Sequence, residues 1–266
     1  MLYSSLKAAF GGIMEKTLEN KQNWFVELIR TVGSALVLVL IIHTVLVKPF
    51  SIPSPSMNPT LEIGDYIAVS KFTYGYSRYS IPLSPNLFSG RIFGSSPDRG
   101  DVAVFRPPHN TSEDWIKRVI GLPGDRIRMV EGVLHINDKP VMLEKIGEYH
   151  WFDQYNKAYD SELYMETLPN GVKHKIAKSV PFGQGSLDNT REFVVPEGHF
   201  FMMGDNRDHS EDSRSSKVGY IPYENLVGRA EIVFFSTDLP TQNGAWWMVW
   251  RWPTATRYSR IFTIIR

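Results

Sequence analysis

The sequence predicts a mainly β fold, built of antiparallel strands and preceded by one N-terminal transmembrane helix. Three observations carry that expectation. One uncharged stretch near the N-terminus is long enough to enter a bilayer. Beyond it, short runs rich in β-branched and apolar residues recur between turn signals. No long segment after Pro49 repeats its apolar residues with the period of an amphipathic helix.

The first element is the apolar segment. Residues 31–47 contain no charged side chain. Leu28 and Ile29 extend the stretch if Arg30 snorkels toward the headgroups, which sets the predicted span at 28–48. At about 1.5 Å per residue such a helix nearly matches a hydrocarbon core of roughly 30 Å. It is apolar on every face, unlike a helix that packs on a soluble core. A cleavable signal peptide needs small residues after the apolar run. Val47, Lys48, Pro49 and Phe50 stand there instead, so the anchor is expected to be retained. Lys7, Lys16, Lys21 and Arg30 precede the span and only Lys48 follows closely. The positive-inside rule then makes 1–27 a cytoplasmic tail and puts 49–266 outside the cytoplasmic membrane. His43, within the span, is given no role.

The strand runs follow. They fall at 66–70, 101–105, 116–120, 126–130 and 231–235, with a small hairpin over 133–141 that turns at Asn137 and Asp138. Turn signals include Pro123-Gly124 and Asn170-Gly171. Residues 145–190 read as a polar, irregular surface insertion. Two segments suit a membrane surface. One is the proline-rich apolar stretch 81–88. The other is 245–253, which holds four of the seven tryptophans.

Composition removes several classes of function. The chain has 266 residues, 42% hydrophobic and 21% charged, enough for one large folded domain with an insertion. A net charge of +1 gives no electrostatic case for nucleic acid. The absence of cysteine excludes disulfides, thiolate metal sites and cysteine nucleophiles. The seven histidines lack H-E-x-x-H spacing, and Arg207 breaks the alternating oxygen pattern of a calcium loop around Asp205 and Asp208. Neither a metal nor a cofactor is expected.

The chemistry that remains is that of a serine with a lysine. Ser56 lies in a Ser54-Pro55-Ser56-Met57 turn just past the anchor, with no histidine beside it. A serine hydroxyl is a weak nucleophile and needs a base. Lysine can serve only when neutral, so its ordinary pKa of about 10.4 must fall by desolvation. Lys117 is placed for that: on a strand, Trp115 and Val119 share its face, while Arg118 points the other way. Ser54 carries a second hydroxyl suited to a developing oxyanion. The segment from Gly204 to Arg214 has the density of polar groups that surrounds a buried ion.

These segments, in this order behind a membrane anchor, resemble the bacterial type I signal peptidases, or leader peptidases. The stretch from Ile52 to Leu61 is similar to the family's nucleophile box, 99–105 to a strand motif, 116–125 to the lysine box, and 204–214 to the last box. The resemblance implies a serine–lysine dyad endopeptidase, with Ser56 as nucleophile and Lys117 as base. It would cut signal peptides from exported preproteins after small residues, at the outer face of the inner membrane, as a functional monomer. It implies that Ser54 donates to the oxyanion and that Ser210 orients the Lys117 amine. Asp205, Asp212, Arg214 and Arg118 would form a supporting ion-pair network. Phe105, Trp115 and Met202 would shield the amine, and Ile52, Pro53, Met57, Leu61 and Ile116 would line small substrate pockets. It also implies an inserted β subdomain at about 126–196. Pro55 stands where relatives often carry glycine, and Trp115 replaces a common tyrosine.

Overall fold

A computed structural model of the chain describes residues 24–39, 46–81, 84, 88–238 and 249–266. The chain divides into two units, 1–45 and 46–266. In the first, residues 24–39 form helix α1, whose apolar side chains, Val32, Leu36 and Val39 among them, are exposed. Among the described residues no helix is long and apolar enough to cross a membrane. The predicted span 28–48 therefore meets the structure only in part. Residues 40–45 lie outside the described set, and Val47 and Lys48 are not helical. They open strand β1 (Val47–Ser51), because their backbone pairs antiparallel with β2 (Asp65–Ser70).

The second unit is built on an eight-stranded antiparallel sheet. Its order is β1, β2, β14 (Leu226–Ser236), β3 (Val102–Phe105), β4 (Trp115–Gly121), β12 (His199–Met203) and β13 (Ile221–Pro222). Strand β15 (Thr263–Ile264) pairs with β14. The alternation read from the sequence decides the faces. In β2, Ile67 and Val69 turn inward onto Ile52, Met57, Leu61, Val102 and Val104. A second core cluster, with Ala103, Phe105, Val119 and Met202, backs the centre of the sheet. Strand β14 is longer than the expected 231–235 because both its edges are paired, to β2 on one side and β3 on the other.

Two smaller sheets lie between β4 and β12. Strands β5 (Arg126–Val130), β6 (Val133–Ile136), β7 (Lys139–Pro140) and β11 (Phe193–Val194) form one. Its hairpin turns at Asn137 and Asp138, both left-handed at φ 52° and 63°, the conformation of a type I′ turn. Strands β8 (Met142–Phe152), β9 (Ala158–Thr167) and β10 (Lys173–Lys178) form the other. The expectation of an irregular 145–190 is thus corrected: most of it is regular antiparallel sheet. Strand β8 is exposed along most of its length, so its polar side chains leave no apolar alternation to read.

Of the segments expected at a membrane surface, residues 82–83, 85–87 and 245–248 lie outside the described set. Trp250 and Trp252 are described, and both are exposed.

Candidate active site

The turn that holds Ser56 follows from local geometry. Pro55 at the first position starts a 3-10 turn over Pro55–Met57, with Ser54 extended before it. The Asn58 amide donates to the Pro55 carbonyl at 3.0 Å and the Leu61 amide to the Met57 carbonyl at 2.9 Å, closing the loop on itself. Met57 and Leu61 are driven into the core, and Ser56 is held beneath the surface at 7% exposure.

Strand β4 delivers the lysine. It pairs with β3 so that Ala103 faces Lys117 and Phe105 faces Trp115. Lys117 is 4% exposed, and its Nζ lies 2.7 Å from Ser56 Oγ. The amine also donates to the Ile116 carbonyl at 2.9 Å. The Trp115 ring stands 5.7 Å from Nζ, with the fully buried Phe105 and Met202 in the same core cluster. Among the described residues no carboxylate lies within ion-pair distance of this amine. Burial pushes its pKa down to about 8, the more distant Asp212 and Asp205 pull it up, and Arg214 pulls it down. Ser54 Oγ lies 3.3 Å from Ser56 Oγ.

The loop after β12 completes the site. Gly204 approaches so closely that a Cβ there would meet Ser210 Oγ and, at 2.5 Å, the Ser56 carbonyl oxygen. The Asn206 backbone amide donates to the Ser56 carbonyl at 3.2 Å, and its side-chain amide to the Pro55 carbonyl at 3.2 Å. Arg118 grips Asp205 through two hydrogen bonds of 2.8 and 2.6 Å, with both side chains excluded from water. Arg214 pairs with Asp212 in the same way at 2.8 Å. Burial raises both carboxyls, but the facing guanidinium outweighs it, so each sits below the usual carboxylate range.

Two expectations differ from what is found. Ser210 is buried, but its hydroxyl makes no hydrogen bond to Lys117. The amine is engaged by Ser56 and the Ile116 carbonyl, while Ser210 Oγ lies over Gly204. Of the expected pocket residues, Pro53 and Ile116 line the cleft over Ser56 and Lys117. Ile52, Met57 and Leu61 belong to the core behind it, packed against Ile67, Val69 and Val104.

The sequence reading missed several members of the site. Trp151 and Tyr159, from β8 and β9, stack at 4.5 Å between ring centroids and meet His209 edge-on, so the smaller sheet walls one side of the cleft. Glu166 and Arg207 form a buried ion pair next to Asp205, with His174 packed beside them. No sequence signal names them, because β8 is exposed along most of its length and a solvated strand reads as polar loop.

Comparison with known proteins places this geometry. The family model described as signal peptidase, peptidase S26, matches residues 25–235. A signal peptidase I of Rickettsia typhi is 41% identical over 85% of this chain and 88% of its own length. One from Rickettsia prowazekii is 40% identical, with the same coverage. A solved signal peptidase I from Enterococcus faecalis is 24% identical. The match covers 51% of this chain and 97% of that one, at a TM-score of 0.30, too low to argue geometry from. A family model spanning most of the sequence, and relatives of this identity over most of both chains, establish that the chain belongs to the signal peptidase family, peptidase S26, as a serine endopeptidase of the signal peptidase I type.

Proposed function

We propose that this enzyme removes signal peptides from exported preproteins by a serine–lysine dyad, working at the outer face of a membrane that the N-terminal segment anchors it to. The observation that carries the reading is the 2.7 Å contact between Ser56 Oγ and a buried amine that, among the described residues, has no bonded carboxylate. A neutral Lys117 takes the Ser56 proton as the hydroxyl attacks the carbonyl that follows a small residue. The negative charge that develops on the carbonyl oxygen falls to the Ser56 amide and the Ser54 hydroxyl. Protonated Lys117 then gives its proton to the departing amine, which leaves an acyl-enzyme. The freed amine next activates water to release the signal peptide. Asp205 with Arg118, and Asp212 with Arg214, hold the surrounding loop without pairing with the base itself.

A shared membrane raises the local concentration of signal segment and enzyme, an effect that needs no added contact. The exposed Trp250 and Trp252, with the apolar side chains of α1, support membrane association. The test is to incubate the purified enzyme with a preprotein and map the cut by mass spectrometry. One cut after a small residue at the end of the signal segment is expected. Cleavage elsewhere, or undiminished cleavage by folded Ser56→Ala, would overturn the assignment.

A further inference from the structure

The three-stranded sheet β8–β10 grips the last loop of the active site at three points, two of them buried and the third part-buried. First, the Ala177 amide donates to the Asp205 carbonyl at 2.9 Å, and the Arg207 amide donates back to the Ala177 carbonyl at 3.0 Å. Strand β10 thus pairs with the loop as a sheet edge would. Second, Arg207 forks onto Glu166 of β9 with hydrogen bonds of 2.9 and 2.6 Å, and His174 of β10 is packed beside them, its ring nitrogens making no hydrogen bond among the described residues. Third, Asp208 accepts from the Ser179 and Val180 amides at 2.8 and 2.9 Å and from Lys178 at 2.9 Å. Between the first two grips and the nucleophile stands a single residue, Asn206. It donates to the carbonyls of both Pro55 and Ser56.

The charges in this layer balance. Arg118 and Arg207 face Asp205 and Glu166. Burial, and then Arg118, hold His174 below the ordinary histidine pKa, so it adds no charge. A balanced buried ionic layer is poor evidence for stability, since apolar packing of equal volume serves as well or better. What such a layer does supply is register, because each fork fits one partner in one position.

We propose that Glu166, in the smaller sheet, is a positioning residue for the nucleophile: it fixes Arg207, and so holds Asn206 against the Pro55 and Ser56 carbonyls. The inference rests on the reading of Ser56 as nucleophile. It gives the inserted sheet a share in turnover, although it contributes no group to the dyad.

The test measures turnover per functional site. Glu166→Gln keeps the shape of the side chain and removes its charge. Active sites are counted with a serine-directed acylating inhibitor, so unfolded molecules drop out of the comparison. The expected result is a kcat per titrated site lower by about 10- to 100-fold, the cost of misplacing a reacting group by up to an ångström, with KM unchanged. Combined with Asn206→Ala, the losses should fail to multiply, because both act through the same contact. An unchanged kcat per titrated site, a loss confined to KM, or losses that multiply would overturn the proposal and leave Glu166 a scaffold residue. If Glu166→Gln yields no titratable sites, Arg207→Lys, which keeps the charge but loses the fork, is read in the same way. Failure of the dyad reading has a separate signature: Ser56→Ala would still be acylated.

Discussion

Two of the three buried lysines among the described residues face opposite surroundings. Lys117, on the large sheet, and Lys178, at the end of β10, are equally dry, at 4% and 3% exposure. Lys178 lies between Asp188 and Asp208, with Nζ 2.9 Å from each. Lys117 meets a hydroxyl and a carbonyl and, among the described residues, no carboxylate within ion-pair distance. Burial lowers the Lys117 pKa, and no anion in contact restores its ammonium. The comparison separates a base from a structural cation by what stands within 3 Å, not by depth.

Substitution at the dyad should show the largest effect. Ser56→Ala and Lys117→Ala are each expected to cost roughly four to six orders of magnitude in kcat, the range seen when one member of a catalytic unit is removed. Lys117→Arg should fail equally, because a guanidinium keeps its proton near neutral pH. Steady-state cleavage of a preprotein, with circular dichroism to check folding, measures both. Lys178→Met should act differently. It leaves Asp188 and Asp208 buried without their cation, so the loss is in stability, about 3–5 kcal/mol by denaturant titration. If Lys178→Met lowered the chemical step per active site as far as Lys117→Ala, the distinction between the two lysines would collapse.

Asp205→Ala sharpens the contrast from the other side. It strands Arg118, which is wholly buried, and is expected to cost about 3–5 kcal/mol of stability. Because Asp205 raises the Lys117 pKa, removing it should also shift the acid limb of the rate profile to lower pH. A limb that moved to higher pH would contradict the assigned electrostatics. Ser54→Ala is the smallest of these changes. As the loss of one oxyanion donor it should reduce kcat by at most about 10²–10³-fold, with KM nearly unchanged. Unchanged kcat would remove Ser54 from the reaction.

The parts of the fold that could be read from sequence are those where a local rule decides. Alternation located β2, β3, β4 and β5, and the Asn137-Asp138 pair marked its hairpin. The polarity of β8 and β9 concealed the longest hairpin, because its ladder is built from backbone bonds that leave no mark on side-chain pattern. The expected span 28–48 overlaps helix α1 over 28–39. Its C-terminal boundary could not be read, since Val47 and Lys48 are claimed by pairing with Ser70 and Val69, more than twenty residues away. In the site, Ser56 and Lys117 stood out by residue type and neighbours. Glu166, His174 and Lys178 did not, because a buried charge looks the same as a solvated one until its partner is placed.

The most direct test of the central claim is the pH dependence of Ser56 acylation by a serine-directed inhibitor. With the Lys117 pKa near 8, the base loses its free amine as pH falls, so the acylation rate should drop about tenfold for each pH unit below 8. A rate that stays level from pH 5 to pH 8 would mean that Lys117 is not the base.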